Sequence, residues 1–337
     1  MKRTEIGVAL LGFGNVGSGT YRALEENFAL IEKKVGAKVV IKKILVRRLD
    51  AARRIDVPAE LLTTNFEEIL KDPKIDIVAE LMGGINPATG FIKAALTAGK
   101  HVVTANKAAL ALSLPEFNKT AAFHHAMLRY EASVCGAIPV IGCISRALTG
   151  NRITSVKGIV NGTTNYILTR MAAEGASYED VLKDAQALGF AEADPTGDVE
   201  GYDAANKLSV LIAAAFGVYR APDSFERVGI TGVTMDDLAA AESEGKVIKL
   251  LACAEEKDGQ IEAYVKPVTV EKDSFLGRCG SEFNAVQIDC NMAGPIFLQG
   301  KGAGPEPTGS AVMGDIIEIA QAIVNGTEHA QPVTALM

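Results

Sequence analysis

The sequence is poor in the residues that bind transition metals or form disulfide bonds. Four histidines occur in 337 residues, and His124 and His125 are adjacent, which is not the i, i+4 spacing of helical metal ligands. The five cysteines are odd in number and include no CxxC pair. These absences disfavour a zinc enzyme and a disulfide framework, and they indicate a reducing compartment.

Long apolar runs and basic clusters are also absent. Residues 208–218 form the longest strongly apolar stretch, which is roughly half of what a bilayer span needs. The chain opens into a strand-like run with no secretory signal before it. The net charge is −7, and the arginine pairs at 47–48 and 53–54 are too short for a polybasic patch. We therefore expect a cytoplasmic protein that binds neither membranes nor nucleic acid.

The composition suits two joined domains with sizeable cores, since 48% of residues are hydrophobic and 22% are charged. In the first part, apolar strand-like runs alternate with helical patterns. Strands are predicted at residues 6–11, 39–46, 75–81, 101–104 and 127–134, and helices at 16–31, 66–71, 87–98 and 107–124. This alternation predicts an α/β fold: a Rossmann-type parallel sheet with helices on both faces, over residues 1–138.

The second part predicts a mixed α+β domain over residues 139–308. Helices are expected to begin near Asn165 and to cover residues 178–188 and 203–216, with strands at 261–270, 283–290 and 295–299. Residues 300–307 have the composition of a glycine- and proline-rich linker. The helix after it, assigned to residues 309–330, is expected to pack back on the first domain.

A glycine pattern, GxGxxG, follows the first predicted strand and opens a helix. Gly12 permits the turn, Gly14 lets the backbone approach a pyrophosphate, and Gly17 lets helix and strand pack closely. The motif alone could be a glycine-rich turn without a ligand. The strand, helix and further βα units around it favour a dinucleotide site at the helix N-terminus, built from Gly12, Phe13, Gly14, Asn15, Val16 and Gly17.

The end of the second predicted strand bears on the choice between NADP and NAD. NAD-binding domains usually place an acid there for the ribose 2′-hydroxyl. This chain has Arg47 and Arg48 instead, and a guanidinium suits a 2′-phosphate. Two solvated arginines are the alternative, and nearby Asp50 keeps NAD possible. We predict NADP as the favoured cofactor.

Two further segments carry groups suited to chemistry. Lys107 follows the strand at residues 101–104, and ligands of open parallel sheets bind at the carboxyl ends of strands. A cation at a helix start faces the positive end of the helix dipole, which hints at function beyond a solvated lysine. In the second part, an acidic loop at residues 189–202 runs into an apolar helix in which Asp203 and Lys207 share one face. An acidic surface loop with one ion pair is the alternative.

These segments together resemble the homoserine dehydrogenase signature. The matching motifs are Thr-Ala-Asn-Lys at 104–107, Asn-Gly-Thr-Thr-Asn-Tyr at 161–166, and Glu-Ala-Asp-Pro through Ala-Asn-Lys at 192–207. Glu-Leu-Met-Gly-Gly at 80–84 and Gly-Ala-Gly at 302–304 also match, in the expected order. The resemblance covers essentially the whole chain. It implies an NAD(P)-dependent oxidoreductase that interconverts L-aspartate 4-semialdehyde and L-homoserine for threonine, methionine and isoleucine biosynthesis, as a homodimer formed mainly through the second domain's sheet.

The resemblance also implies residue roles. Lys107 and Lys207 match the two active-site lysines, of which Lys207 is the usual candidate proton donor, although both could reach one oxygen. Asp203 matches a second catalytic acid, and Glu192 matches the carboxylate for the substrate's amino group. The remaining substrate-binding positions are Thr163, Asp198 and Phe190, and further cofactor positions are Met82, Lys107 and Gly304. Hydride delivery to an aldehyde builds negative charge on oxygen, which an ammonium can neutralise and protonate.

The segment between the domains is similar to a hinge that binds sodium in some family members. The implied ligands are the backbone carbonyls of Glu131, Val134, Gly136 and Ile138, and such oxygens suit a hard cation. Cys135 stands where the family more often has glycine or alanine. A loop without an ion is the alternative, and Cys135 is expected to be a small buried residue, not a reactive thiol.

Two other functions fit the same fold: a non-catalytic NADP-sensing protein and a related semialdehyde reductase. A sensor would be expected to lose Lys107, Lys207 or the acids, all of which are present. An acylating aldehyde dehydrogenase is disfavoured because no cysteine has the context of a nucleophile. Many bacterial relatives carry a C-terminal threonine-sensing domain. Since this sequence ends at Met337, weak or no feedback by threonine through such a domain is expected.

Overall fold

The computed structural model describes residues 3–328, which form two compact units. The first unit consists of the described residues up to Ala137 together with those from Ala303 onward, and the second is Ile138–Gly302. Within the described range, none of the helices has the length and apolar character needed to cross a membrane.

The first unit is built on a six-stranded, all-parallel sheet in the order β3-β2-β1-β4-β5-β6. Its elements up to Ala137 are β1 Glu5–Leu11, α1 Asn15–Glu26, α2 Phe28–Val35, β2 Lys38–Leu45, β3 Leu62–Thr63, α3 Phe66–Lys71, β4 Ile77–Glu80, α4 Ala88–Thr97, β5 His101–Thr104, α5 Lys107–Phe123 and β6 Leu128–Arg129. The central strands are almost fully buried, as expected for a parallel sheet covered on both faces: in β1, every residue after Glu5 is buried, and β4 and β5 are buried throughout. The predicted Rossmann-type sheet is confirmed.

The strand register aligns the carboxyl ends of the central strands. Leu11 at the end of β1 pairs with Leu45 of β2 and with Glu80 of β4, and Glu80 pairs with Thr104 of β5. The loops that follow these four strands therefore leave the sheet at one edge. This edge is where ligands of open parallel sheets bind.

Two predictions for this unit were wrong in detail. The single helix expected over 16–31 breaks at Asn27 into α1 and α2. The strand expected over 127–134 is only two residues long, and Glu131–Ser133 form a 3-10 turn. The chain leaves the sheet there because the Glu131 N–H donates to the Asp315 carboxylate at 2.8 Å, not to a neighbouring strand.

Helix α13, Pro305–Asn325, returns to the first unit and packs on α1. A Cβ on Gly19 would lie 1.9 Å from the Pro305 carbonyl oxygen, so the two helices can approach this closely only at glycine. Val312 and Ile316 complete the core of this unit. This helix was predicted to begin at residue 309 but begins at Pro305. The prediction was wrong because it read the prolines before residue 309 as part of a linker, whereas proline is favoured in the first turn of a helix. Residues 329 and 330 of that prediction lie outside the described residues.

The second unit has a six-stranded mixed sheet in the order β12-β11-β7-β9-β10-β8. All neighbours are antiparallel except β8 and β10. Its elements are α6 Val140–Gly142, β7 Ile153–Ile159, α7 Gly162–Glu174, α8 Tyr178–Ala187, α9 Thr196–Val199, α10 Tyr202–Phe216, β8 Glu226–Arg227, α11 Met235–Ser243, β9 Lys246–Lys257, β10 Gln260–Glu271, α12 Phe275–Arg278, β11 Phe283–Cys290 and β12 Gly294–Lys301. The predicted mixed α+β character is confirmed.

The sequence prediction missed β7 and β9, two neighbouring strands of this sheet. It also placed the start of α7 at Asn165, whereas the helix begins at Gly162 because the Asn161 side chain caps it by accepting from the Thr164 N–H at 2.9 Å. The predicted linker at 300–307 is shorter than expected. Strand β12 runs through Lys301 and α13 starts at Pro305.

Candidate active site

The glycine loop of the first unit has the close contacts that the GxGxxG pattern predicts. Gly12 has a φ of +97°, which favours glycine. A Cβ on Gly17 would lie 2.3 Å from the Gly12 carbonyl oxygen, so any larger residue would separate the loop from the helix. Phe13 packs edge-on against Tyr21 with ring centroids 5.8 Å apart. These contacts hold the turn between β1 and α1 tightly folded.

The same loop leaves space where a dinucleotide would bind. A Cβ on Gly14 would have no heavy atom within 4 Å, and Gly14 and Asn15 are exposed. No side chain caps the N-terminus of α1, so the N–H groups of its first turn and the helix dipole face this space. The residues therefore fit a pyrophosphate. Gly304, another predicted cofactor position, lies directly before α13 and has a φ of +114°, a backbone conformation that favours glycine.

The loop after β2 carries the two arginines expected at a 2′-phosphate. Arg47 and Arg48 are both exposed, and the Arg48 guanidinium lies 3.4 Å from the Asp50 carboxylate. Arg53 is folded into the loop, donating to the carbonyl oxygens of Arg48, Leu49 and Ala51 at 2.8–3.0 Å. Arg53 thus determines the shape of the loop, while the side chains of Arg47 and Arg48 face solvent.

Lys107 and Met82 lie at the sheet edge described above, after β5 and β4. Lys107 is the first residue of α5, and Asn106 caps that helix by accepting from the Ala109 N–H at 3.1 Å. The Met82 N–H donates to the Glu80 carboxylate at 2.9 Å. Burial raises the pKa of Glu80, although hydrogen bonds from its neighbours act in the opposite direction.

The second unit contains a cluster of two aspartates and one lysine, which we call the acid–lysine cluster and define as Asp198, Asp203 and Lys207. The Lys207 ammonium donates to Asp203 Oδ2 and to the Val160 carbonyl oxygen, both at 2.7 Å. Lys207 is buried and Asp203 partly buried. The predicted helical ion pair is present in a largely desolvated setting, where the charge interaction is stronger than on a surface.

Asn161 joins the two aspartates of the acid–lysine cluster. Its side-chain amide donates to Asp198 Oδ1 at 2.7 Å and to Asp203 Oδ2 at 2.8 Å. Asn161 was not among the predicted site residues, although an asparagine directly before Gly-Thr-Thr is a recognisable helix cap. The Val160 carbonyl was also missed, because a backbone ligand leaves no trace in the sequence.

Two of the other predicted substrate residues, Thr163 and Phe190, lie near the N-terminus of α7, and the third, Glu192, lies in the acidic loop. The Thr163 hydroxyl donates to the Phe190 carbonyl oxygen at 2.6 Å, and the Phe190 ring packs 5.0 Å from the Tyr166 ring. Glu192 is exposed in the loop before α9, and the Gln186 side chain holds that loop by donating to the Glu192 carbonyl oxygen at 3.0 Å. The acidic loop therefore exposes the Glu192 side chain to solvent.

The predicted sodium ligands divide between the two units, with Glu131, Val134 and Gly136 in the first and Ile138 in the second. Cys135 and Gly136 both have left-handed backbone conformations, with φ of 57° and 56°. Cys135 is buried, as expected. The Glu131 carbonyl accepts from the Val134 N–H at 3.3 Å, and the Ile138 carbonyl accepts from the Val140 N–H at 2.8 Å. The sodium site stays a prediction.

Two family models match the chain. One, described as the NAD-binding domain of homoserine dehydrogenase, covers residues 12–131. The other, described as homoserine dehydrogenase, covers residues 139–317. The two matches therefore include the glycine loop, Lys107 and the acid–lysine cluster.

Curated relatives and solved structures agree with these matches. Homoserine dehydrogenase from Mycobacterium tuberculosis is 45% identical over 327 residues, which are 96% of this chain and 74% of the relative. The enzyme from Synechocystis is 42% identical, over 96% of this chain and 75% of the relative. The crystal structure of a homoserine dehydrogenase from Thiobacillus denitrificans superposes with a TM-score of 0.94 at 38% identity, covering 100% of this chain and 78% of that one.

A hyperthermophilic archaeal homoserine dehydrogenase mutant in complex with NADPH is also similar. Its TM-score is 0.78 at 26% identity, covering 94% of this chain and 97% of that one. The chain thus spans about three quarters of its bacterial relatives and nearly all of the archaeal one.

Proposed function

The chain belongs to the homoserine dehydrogenase family of oxidoreductases, and from that premise we propose how its own residues carry the reaction. The family interconverts L-aspartate 4-semialdehyde and L-homoserine. The contact that carries the proposal is the buried pair of Lys207 and Asp203, with Nζ to Oδ2 at 2.7 Å. A sensing protein that had lost catalysis would have no use for a desolvated proton donor, and the relatives are named as enzymes.

The proton of the alcohol is proposed to come from Lys207. When bound, the nicotinamide cofactor supplies the hydride for the aldehyde carbon, or accepts it in the reverse direction. Lys207 Nζ gives a proton to the carbonyl oxygen as negative charge develops there, and solvent returns that proton. Asp203 and the Val160 carbonyl accept hydrogen bonds from Nζ and so fix its position. Lys107, at the carboxyl end of β5, is proposed as the second active-site lysine, whose positive charge stabilises negative charge on a substrate oxygen.

The acids and the α7 N-terminus are proposed to bind the amino-acid part of the substrate. Glu192 provides the counter-charge for the ammonium group. Asp198 is proposed to bind a polar group of the substrate, since Asn161 holds its carboxylate beside Asp203. Thr163 and Phe190 line the pocket. Because Asn161 donates to both aspartates, substrate binding and proton transfer depend on one amide.

NADP is the proposed cofactor, with NAD as the second choice. The glycine loop fits the pyrophosphate, Met82 and Gly304 lie on the neighbouring loops, and Arg47 and Arg48 offer guanidinium groups to a 2′-phosphate. We also propose a homodimer through the sheet of the second unit. Its edge strand β12 exposes Phe297, whose side chain is 48% accessible and packs on Phe275 in the same unit. We further propose a place in threonine, methionine and isoleucine biosynthesis, in the cytoplasm.

The test is oxidation of NADPH and of NADH by the purified protein with L-aspartate 4-semialdehyde. Turnover with a higher kcat/KM for NADPH is expected, and replacing Arg47 and Arg48 with alanine should abolish that preference without lowering kcat/KM for NADH. No turnover with either cofactor, despite measurable nucleotide binding, would refute the proposed reaction. Light scattering of the same sample should give the mass of a dimer, about twice 35.5 kDa.

A further inference from the structure

Strand β4 ends in a buried carboxylate that the proposed reaction does not use. Glu80 has 0% of its surface exposed. Its Oε1 accepts from the Met82 N–H at 2.9 Å, and its Oε2 accepts from the Thr104 hydroxyl at 2.8 Å. The Gly83 N–H and the Asn106 side chain also donate to it. Four donors from two loops therefore converge on one carboxylate, which has the acceptor sites to take them all.

The same network extends to the start of helix α5. The Thr104 hydroxyl accepts from the Asn106 N–H at 3.0 Å. The Asn106 side chain donates to the Gly84 carbonyl at 2.6 Å and caps α5 through the Ala109 N–H. Lys107 is the next residue along the chain. Through these bonds Glu80 connects the loop at residues 82–84 with the helical turn that carries Lys107.

A second Thr-x-Asn segment in the same sheet shows that this capping needs no buried charge. At the end of β3, the Thr63 hydroxyl accepts from the Asn65 N–H at 3.0 Å and Asn65 caps α3, as Thr104 and Asn106 do for α5. There the hydroxyl donates at 2.9 Å to Glu68, which is exposed. Burying a carboxylate costs free energy even when it is hydrogen-bonded. The buried charge of Glu80 is therefore not required by the capping motif.

We propose that Glu80 is a positioning residue for the reaction, which fixes the cofactor loop at residues 82–84 and the Lys107 ammonium relative to one another. The proposal rests on the role of Lys107 proposed above. The distance between the cofactor loop and the Lys107 ammonium matters for the rate, because the oxygen that Lys107 would stabilise belongs to a substrate held against the cofactor. Displacement of a catalytic group by about 1 Å can cost roughly 100-fold in rate.

The test compares Thr104→Val and Glu80→Gln with the matched control Thr63→Val. Thr104→Val and Thr63→Val each remove one hydroxyl from the same local motif. Thr104→Val should lower Tm more, because it takes a donor from a buried carboxylate, so kcat is compared at a temperature well below the Tm of every variant. Glu80→Gln keeps the shape but puts an amide donor opposite the Thr104 and Asn106 donors. We expect kcat with L-aspartate 4-semialdehyde to fall about 10- to 100-fold in Thr104→Val and Glu80→Gln, and to stay within about 2-fold of wild type in Thr63→Val.

A double variant separates positioning from loss of stability. If Glu80 acts through Lys107, Glu80→Gln combined with Lys107→Ala should have the same kcat as Lys107→Ala alone. Independent, multiplicative losses, or equal kinetics in all three single variants, would overturn the proposal for Glu80. Near-normal kcat in Lys107→Ala would instead refute the role of Lys107, so the two failures are distinguishable.

Discussion

Lys249 is a buried lysine in the second unit whose protonation should set a measurable part of the unfolding free energy. Its side chain extends from β9 and is 4% exposed. The ammonium donates to the Asn165 side-chain oxygen at 2.9 Å, the Thr169 hydroxyl at 3.4 Å and the Cys279 carbonyl at 2.7 Å. All three acceptors are neutral, and no ion pair to Lys249 exists among residues 3–328. Burial lowers the pKa of Lys249 to about 8.

The magnitude follows from this pKa and its ordinary value of 10.5. A tenfold change in proton affinity corresponds to about 1.4 kcal/mol, so burying the charged form costs about 3 kcal/mol. Below pH 8, both folded and unfolded states carry the charge and the whole cost is present. Between pH 8 and 10.5 the folded state releases its proton before the unfolded state does, and stability therefore rises with pH.

Urea unfolding of wild type and Lys249→Met at pH 7, 8, 9 and 10 measures this effect. The unfolding free energy of wild type should increase relative to the variant by about 2.5 kcal/mol between pH 7 and pH 10, which is most of the full cost. The Cys279 thiol, whose pKa burial raises, is the other titrating group in contact, so the comparison is repeated in a Cys279→Ala background. A difference between the two proteins that does not change with pH would refute the reasoning.

Three further predictions concern the cofactor loops and the acid–lysine cluster. Gly14→Ala should leave Tm unchanged, because its Cβ meets no atom, yet raise the Kd for NADPH at least about 10-fold. Gly17→Ala should cost about 1–3 kcal/mol of unfolding free energy through overpacking, and equal stability of the two variants would contradict the contacts seen. Arg53→Ala removes hydrogen bonds to three carbonyl oxygens of the loop that carries Arg47 and Arg48. It should therefore raise KM for NADPH about 5-fold and leave KM for NADH unchanged, and an equal rise for both cofactors would contradict a role of this loop in binding the 2′-phosphate. Asn161→Ser keeps a helix cap but cannot bridge two aspartates, so we expect a near-wild-type Tm with kcat lowered about 10-fold or more, and unchanged kcat would remove Asn161 from the site.

The sequence predicted most of the first unit because its signals are local. The apolar run of β1, the glycine loop and the start of α5 at Lys107 each follow from neighbouring residues, and the structure contains all three. The pairing of Asp203 with Lys207 was also predictable, since residues four apart on a helix face each other. Local patterns are therefore sufficient where one segment defines the feature.

The features that were missed depend on residues far apart in the chain. Strand β9 lies in the middle of its sheet, yet its polar ends and apolar centre gave no clear alternation. Asn161 contacts Asp198 and Asp203, which are 37 and 42 residues away. Glu80 meets Thr104 across 24 residues, and only the strand register brings them together. Contacts between segments that are distant in the chain, and not local secondary-structure propensity, determine the structure at these positions.

The most direct test of the proposed mechanism is kcat for Lys207→Ala at saturating L-aspartate 4-semialdehyde and NADPH, measured beside Lys249→Met. Both variants remove a buried lysine from the second unit, but only Lys207 belongs to the acid–lysine cluster. We expect kcat to fall by about 100-fold or more in Lys207→Ala and to stay within about 2-fold of wild type in Lys249→Met. Near-wild-type turnover in Lys207→Ala would contradict its role as the proton donor.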